Sequence, residues 1–457
     1  MFVQMIDYFE SNHLLHPNHH GFRANHTTTT ALLQMYDTWV EAMDRGEATA
    51  AVFLDMSAAF DMVSHPVLLD KLLLYGFDEA SFKWIKSYLS DRKQSVCIDG
   101  TCSSMLPLDF GVPQGSIVGP LLYIIFTNDL PESVHNHHNY QEYPPPQDQQ
   151  QQQYYNMYCS DCGGVCCFAD DSSYTYSNKV AEEITDKVSD QYNKISEYMA
   201  SHELKLNGDK THLLLLMSDE SRRAKPNFNI TLETGAETIE TSKSEKLLGG
   251  IVAQNLKFTE HIQNNKDSML KILNSRLNGL KKVGKAASFK SRKMIANGII
   301  MSRLIYLIPW WSGCEQYLMK SLQIIQNKAA RVVTRARKRT TVKNLLSQCG
   351  WLSVAQLSVY HSLVLVYKIL STKSPQYLYS KLSQVNDSHY KMRSAADKSK
   401  IRLGSDSQAD AGLARRSFKY RATREWNLLP QEIRQLATLK VFKMELKKCV
   451  LSNIPIS

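Results

Sequence analysis

Apolar residues along this chain recur at helical spacing near the start, collapse into short continuous runs, and return to helical spacing from residue 262 onward. Met1–Phe9 carries an apolar stripe that predicts a helix, and Asn18–Arg23 follows as a turn-like link. Thr27–Thr30 offers caps for a second helix, 31–42, built on Leu32, Leu33, Met35, Tyr36 and Val40. Residues 48–55 form a continuous apolar run and predict a central strand. Leucine and aromatic stripes predict helices at 66–75 and 79–89, separated by Gly76. Residues 94–112 predict a hairpin turning at Asp99-Gly100, and Leu121–Phe126 a buried helix starting near Gly119-Pro120. A short run, Gly164–Ala169, predicts another buried strand. Val180, Ile184, Val188, Tyr192, Ile195 and Met199 form one helical stripe over 180–200. A strand at Leu213–Met217 and a hairpin near Lys246–Gly250 complete this part.

Three segments depart from these periods. Residues 133–163 hold His135, His137, His138, Pro144–Pro146 and Gln149–Gln153, a composition that cannot build a core and predicts a flexible surface loop. Residues 386–415 are polar and read as a linker. Residues 262–348 are helical and basic, with Lys281, Lys282, Lys285, Lys290, Arg292 and Lys293 in one cluster and Arg331, Arg335, Arg337, Lys338, Arg339 and Lys343 in another. Residues 351–383 predict a mostly buried helical pair, and 418–450 a closing helical unit.

Chemistry concentrates where apolar runs end in acid. Phe168-Ala169-Asp170-Asp171 closes one strand and Ala51–Asp55 another. Taken alone, adjacent aspartates mark a solvated turn. Together, strand ends bearing Asp55, Asp170 and Asp171 would form a three-carboxylate cluster whose repulsion a divalent cation offsets, and Mg²⁺ favours such hard oxygens. The Met56 carbonyl could join them. Phe60 is either core or a ring beneath the sugar of an incoming nucleotide, where it would exclude a 2′-hydroxyl. Asp61 lies past the strand end and is expected to brace the next turn. Gly111 and Gly115 permit close approach of a base pair, and Gln114 can hydrogen-bond template or nucleotide. Arg23 is either a solvated loop arginine or a phosphate contact. Lys210 is either a surface lysine or the acid that protonates a leaving pyrophosphate.

Charge sharpens this picture. The 457 residues carry a net charge of +10, which favours a polyanionic partner. Nine scattered cysteines read as reduced, hence an intracellular protein in nucleus or cytoplasm. Cys159 and Cys162, near Cys166 and Cys167, invite a zinc reading, but the latter pair falls inside a strand. No basic stretch precedes an apolar segment at the start and no apolar run reaches 18 residues, so neither secretion nor a membrane span is expected.

The order of motifs says more than any one of them. Phe-Leu-Asp-Met-Ser-Ala-Ala-Phe-Asp (53–61), Gly-Val-Pro-Gln-Gly-Ser (111–116), Phe-Ala-Asp-Asp (168–171), Leu-x-Leu-Asn-x-x-Lys-Thr (204–211) and Leu-Leu-Gly (247–249) occur in sequence. The set closely resembles the reverse transcriptases of non-LTR retrotransposons, LINE-type elements of the jockey/CR1-like groups. That resemblance implies an α+β right-hand polymerase palm with partial fingers and a helical thumb: fingers at 1–47, palm at 48–255 interrupted by the 133–163 insertion, thumb at 256–348, and a helical C-terminal region at 349–457. It implies two Mg²⁺ ions on Asp55, Asp170, Asp171 and the Met56 carbonyl, with Lys210 as acid. Arg23, Phe60, Gln114 and Gly115 would contact nucleotide or template, and Leu247–Gly249 would grip the primer. RNA template, DNA primer and deoxynucleoside triphosphates are the implied partners. Tyr306–Gly313 and Trp426–Pro430 with Phe442-Lys443 resemble later family motifs. Elements of this kind carry an endonuclease and a further fingers motif upstream of Gly21-Phe22-Arg23. Neither is found here, so an N-terminally truncated polymerase is expected, its alternative being a catalytically impaired nucleic-acid-binding remnant.

Overall fold

The computed structural model describes residues 1–56, 58–134, 164–235, 237–337, 339–382, 399–401 and 414–453. The glutamine-rich segment, Cys159 and Cys162, Lys338 and most of the expected linker lie outside the described residues. The architecture is mixed α and β and divides into two compact units.

The first unit comprises residues 1–27, 48–215 and 225–242. The expected fingers segment 1–47 is therefore shared, since residues 28–47 belong to the second unit. An open six-stranded sheet organises the first unit, in the order Val165–Phe168, Asp171–Asn178, Ala48–Leu54, His212–Leu216, Thr238–Ser242, Thr231–Glu233. All seven residues of Ala48–Leu54 are buried, as a central strand covered on both faces must be. It runs antiparallel to Asp171–Asn178, from Ala48 opposite Asn178 to Leu54 opposite Ser172. Helix Ala181–Ser201 packs on both strands. It buries Ile184, Val188, Tyr192, Ile195 and Met199, as the stripe predicted. Val180 instead sits at its N-cap and is exposed. In helix Gly119–Phe126 every residue except Pro120 is buried. Ser133 and Val134, expected to open the insertion, are buried in the short helix Leu130–Val134.

Within this unit lies a half-buried ion pair that periodicity could not show. Lys71 Nζ donates to Asp129 Oδ1 at 2.5 Å and to the Phe126 carbonyl at 2.6 Å. Tyr198 donates to the same carboxylate oxygen at 2.5 Å. The hairpin after residue 92 consists of two short ladders, and its Asp99-Gly100 turn has positive φ at both positions, as a two-residue hairpin turn requires. One sequence expectation fails here: Cys97 and Cys102, directly opposed on the ladder, are joined by a disulfide rather than reduced. Scattered spacing concealed this, because opposition comes from the turn.

The second unit comprises residues 28–47, 216–224 and 243–457. Its aromatic core stacks Tyr36 on Phe258 at 5.4 Å and sets Trp310 edge-on to Phe258 at 5.0 Å. The hairpin Ser244–Leu247/Gly250–Ala253 turns through Leu248 and Gly249, both at positive φ. Tyr306 Oη donates to the Leu248 carbonyl at 2.7 Å and holds that turn. Helix Val354–Thr372 is long and apolar enough by composition to cross a membrane. It buries Leu357, Leu363, Val366 and Ile369 while packing on helices Ile308–Trp311, Phe418–Asn427 and Leu439–Asn453, which makes it the central helix of the unit. Trp426 and Phe442 are buried beside it.

Candidate active site

The candidate site lies within the first unit, where strand pairing decides which carboxylates meet. Leu54 opposes Ser172, so extending the register by one residue sets Asp55 opposite Asp171. The strands Val165–Phe168 and Asp171–Asn178 are joined by only Ala169 and Asp170, with Phe168 opposite Asp171. Ala169 occupies the left-handed region at φ +57°, a conformation that costs a non-glycine residue roughly 1–2 kcal/mol. The turn is held from outside. The amide of His20 donates to the Cys167 carbonyl at 2.8 Å, and the amide of Cys167 to the Asn18 carbonyl at 2.9 Å. A Cβ on Gly21 would lie 2.5 Å from the Ala169 nitrogen, so only glycine lets this segment reach the turn.

The carboxylates sense one another. Burial lifts the Asp171 carboxyl above the usual carboxylate range, and the charges of Asp170 and then Asp55 lift it further. Asp55 is engaged by Lys210, whose Nζ stands 3.0 Å from Oδ2. The Asp55 carbonyl accepts the Asn207 amide at 3.0 Å, and Met56 bridges to Leu206, which fixes the lysine-bearing segment beside the strand end. Among the described residues, no group of three or more His, Cys, Asp or Glu side chains is arranged to hold a metal ion.

The remaining candidates take distinct posts. Phe60 stacks on Tyr123 with ring centres 4.5 Å apart and meets Phe22 edge-on at 6.1 Å. Gln114 donates through Nε2 to both carboxylate oxygens of Asp61, at 3.1 and 3.2 Å, which ties Asp61 to a loop 53 residues further along the chain. Gly111 packs on the Asp61 backbone and Val112 donates to the Phe60 carbonyl at 2.9 Å, which zips this loop to the residues after Asp55. Gly115 lies at φ +80° with open space where a Cβ would project. Met56 is buried, and Tyr123 Oη reaches its sulfur at 3.3 Å. Arg23 is turned inward: Nε and Nη2 clamp Glu10 at 3.0 and 2.9 Å, and Nη1 donates to the His16 and His19 carbonyls.

Sequence reasoning missed two contributors. Tyr123 reads as one more residue in an apolar run, yet it seats Phe60. Gly21 reads as part of a loop motif. Its proximity to the aspartate turn was visible only as two separate motifs with no stated contact.

The comparisons with known proteins bear on this geometry. Residues 1–257 match the family model described as reverse transcriptase (RNA-dependent DNA polymerase). The chain is 26% identical over 341 residues to a probable RNA-directed DNA polymerase from transposon X-element of Drosophila melanogaster, covering 73% of this chain and 33% of that protein. It is 27% identical to the RNA-directed DNA polymerase from mobile element jockey of Drosophila funebris, over 69% of this chain and 32% of that one. Against the jockey polymerase of Drosophila melanogaster, identity reaches 41% over 24% of this chain and 12% of that one. The chain therefore belongs to the reverse transcriptase family. It spans about a third of the length of the first curated relatives it matches.

Proposed function

We propose that this chain is the nucleic-acid-binding core of an RNA-directed DNA polymerase, one that engages primer–template but, by itself, incorporates deoxynucleotides poorly. In this reading the sheet unit is the palm, residues 256–348 are the thumb, and the protein works inside the cell, in nucleus or cytoplasm. The observation that carries it is that no three-ligand group of His, Cys, Asp or Glu forms among the described residues, the acidic strand end included. Arg23, expected at a phosphate, is spent on Glu10.

The donor set fits Mg²⁺ in kind. Asp55, Asp170 and Asp171 offer hard oxygens, and the Asp171 carboxyl, pushed up by burial and then by the charges of Asp170 and Asp55, marks a place where a divalent cation relieves repulsion. When bound, such ions polarise phosphoryl oxygens and lower the pKa of an attacking 3′-hydroxyl. The chain's own residues do the rest. Phe60, fixed by Tyr123, sets the floor under the sugar. Gln114 and Gly115 present a polar edge and a bare backbone to a base pair. Lys210, released from Asp55, holds a proton at Nζ for the departing pyrophosphate. Exposed pairs of this kind are worth only about 0.2–1 kcal/mol, so that release is cheap.

Binding draws on the second unit. Lys281, Lys282, Lys285 and Lys290 are exposed, as are Arg337, Arg339 and Lys343. Phosphate contacts of this type give affinity without reading sequence. Arg292 and Arg335, grouped with them from sequence alone, serve the fold instead: Arg292 is buried and donates to the Val333 and Ala287 carbonyls, and Arg335 donates to the Gly284 and Lys285 carbonyls.

The test pairs two measurements on residues 1–457: binding of an RNA template annealed to a DNA primer, and extension of that primer with Mg²⁺ and all four deoxynucleotides. The expected result is tight, salt-sensitive binding with weak extension. Robust extension that vanishes in Asp170→Asn would replace this reading with that of a fully active polymerase.

A further inference from the structure

Among the described residues, the exposed cysteines of this chain occur as a pair at the tip of the hairpin after residue 92. Strand pairing brings them together. Asp99-Gly100 closes a two-residue turn on Ile98 and Thr101, and the next residues out, Cys97 and Cys102, oppose each other with Cα atoms 4.1 Å apart. In such a hairpin the pair flanking the turn exchanges the backbone hydrogen bonds, and the following pair holds its side chains closest. The disulfide therefore closes without rearrangement of the main chain. The other cysteines differ. Cys166, Cys167 and Cys349 are buried, and burial raises their thiols above the ordinary range, which keeps them in the unreactive protonated form.

Little else holds the tip. The hairpin consists of two ladders of two residues each, Lys93-Gln94 with Leu106-Pro107 and Cys97-Ile98 with Thr101-Cys102, and every residue in them is exposed. Between the ladders the Ser103 amide donates to the Val96 carbonyl at 2.8 Å, and the Val96 amide to Ser103 Oγ at 3.0 Å. A two-stranded hairpin without a packed face is marginal in water, so the disulfide is the principal staple of the tip. The base is tied down from elsewhere. The Leu108 amide donates to the Arg92 carbonyl at 2.9 Å, Arg92 Nη1 to the Gly111 carbonyl at 3.0 Å, and the Gly111 amide to the Val63 carbonyl at 2.8 Å. The tip is thus separable from the Gly111–Ser116 loop of the candidate site.

Two effects act on this bond in opposite directions. The turn holds the sulfurs opposed, which favours closure. Exposure admits an attacking thiolate, and exposed disulfides are the labile, regulatory ones. In a chain that works inside the cell, as proposed above, such a bond exchanges with the small-thiol pool. We propose that Cys97–Cys102 is a reversible thiol-modification site, opened and closed by a small thiol of the glutathione class, and that its opening releases the hairpin tip while the base stays in place. One glutathione thiolate attacks a protein sulfur, forms a mixed disulfide and expels the other cysteine as a thiolate. A second glutathione thiolate attacks the glutathione sulfur of that mixed disulfide and displaces the remaining cysteine. Two glutathiones are oxidised to one glutathione disulfide, the protein pair gains two electrons, and the two protons lost by glutathione end on the two cysteines. Excess glutathione disulfide reverses both steps.

The experiment equilibrates the full chain in glutathione buffers over about a 1,000-fold range of reduced to oxidised form, quenches with acid, blocks free thiols with N-ethylmaleimide and quantifies the peptide spanning 94–110 by mass spectrometry. The pair is expected to pass from oxidised to reduced within that range, along the same curve from either direction, with the mixed disulfide present at intermediate ratios. Hydrogen exchange in the two end states should show the Val96 and Ser103 amides about 10-fold faster when reduced, the scale of one backbone hydrogen bond, with Gly111 and Val112 unchanged. Cys97→Ser should exchange fast at the tip in both buffers and collect one glutathione on Cys102 under oxidising conditions. The double variant Cys97→Ser, Cys102→Ser should exchange as fast and take up none there. Primer extension enters none of these readouts, so they stand apart from the polymerase reading, and Asp170→Asn should leave them all unchanged. A pair that stays oxidised, or stays reduced, across the whole range overturns the assignment as a reversible site. Equal exchange at the tip in both states overturns the staple, and faster exchange of Gly111 and Val112 on reduction overturns the separation of tip from loop.

Discussion

Gly21→Ala tests how the aspartate turn is held. The added Cβ would sit 2.5 Å from the Ala169 nitrogen, 3.2 Å from its Cα and 3.3 Å from the Phe168 carbonyl carbon. All three are backbone atoms of the turn, so no rotamer change relieves the contact. Either the turn or the Asn18–Gly21 segment must move. Overpacking of this kind costs about 1–3 kcal/mol. The least costly response is separation of the segment from the strand, with loss of the His20-to-Cys167 and Cys167-to-Asn18 hydrogen bonds, each worth roughly 1 kcal/mol net. The Cys167 and His20 amides should then exchange about 10- to 100-fold faster, the scale set by 1.4 kcal/mol per decade. Native-state hydrogen exchange on peptides spanning 16–24 and 164–172 measures this directly. Primer extension, whatever its wild-type level, should fall in parallel because Asp170 rides on the displaced turn. Ala169→Gly should not rescue the variant: it removes the Ala169 side chain, whereas the clash is with main chain. Unchanged protection of Cys167, or full rescue by Ala169→Gly, would show that the segment does not support the turn as described.

Asp37 is buried, accepts the Phe418 amide at 3.2 Å, and is pushed up to about 6, chiefly by burial. Its folded pKa lies above the unfolded value near 3.9, so its burial penalty, small at pH 4, grows as pH rises through 6. Unfolding midpoints should therefore gain roughly 1–2 kcal/mol from this group on going from pH 7 to pH 5, and Asp37→Asn should flatten that slope; an identical slope in the variant would contradict the assignment. Lys71→Met leaves Asp129 and the Phe126 carbonyl without their ammonium and should destabilise the first unit by about 2–4 kcal/mol, the lower end reflecting the partial exposure of Asp129; a denaturation midpoint within error of wild type would refute this. Replacing Lys281 and Lys282 by Ala should weaken binding to unrelated duplexes alike and shallow its salt dependence, whereas an effect confined to one sequence would exclude a phosphate-tracking role.

Local pattern determined much of this protein. The all-buried run at 48–54, the stripe on the helix after Val180, the two-residue turn at Asp99-Gly100 and each short motif of the reverse transcriptase set depend on neighbours a few residues apart, and local pattern reports such neighbours. It also placed acid at strand ends. What it could not decide is which distant groups meet. Asp55 and Asp171 face each other because the strands pair antiparallel in one register, and a slip of one residue would separate them. Lys210 pairs with Asp55, Arg23 turns in to Glu10, Gly21 abuts Ala169 and Arg292 is buried among carbonyls because the packed chain supplies partners of matching charge or size. A side chain's chemistry is local, whereas its partner is chosen by the fold. For that reason the identities of the candidate residues were legible in the sequence, and their division between function and scaffold was not.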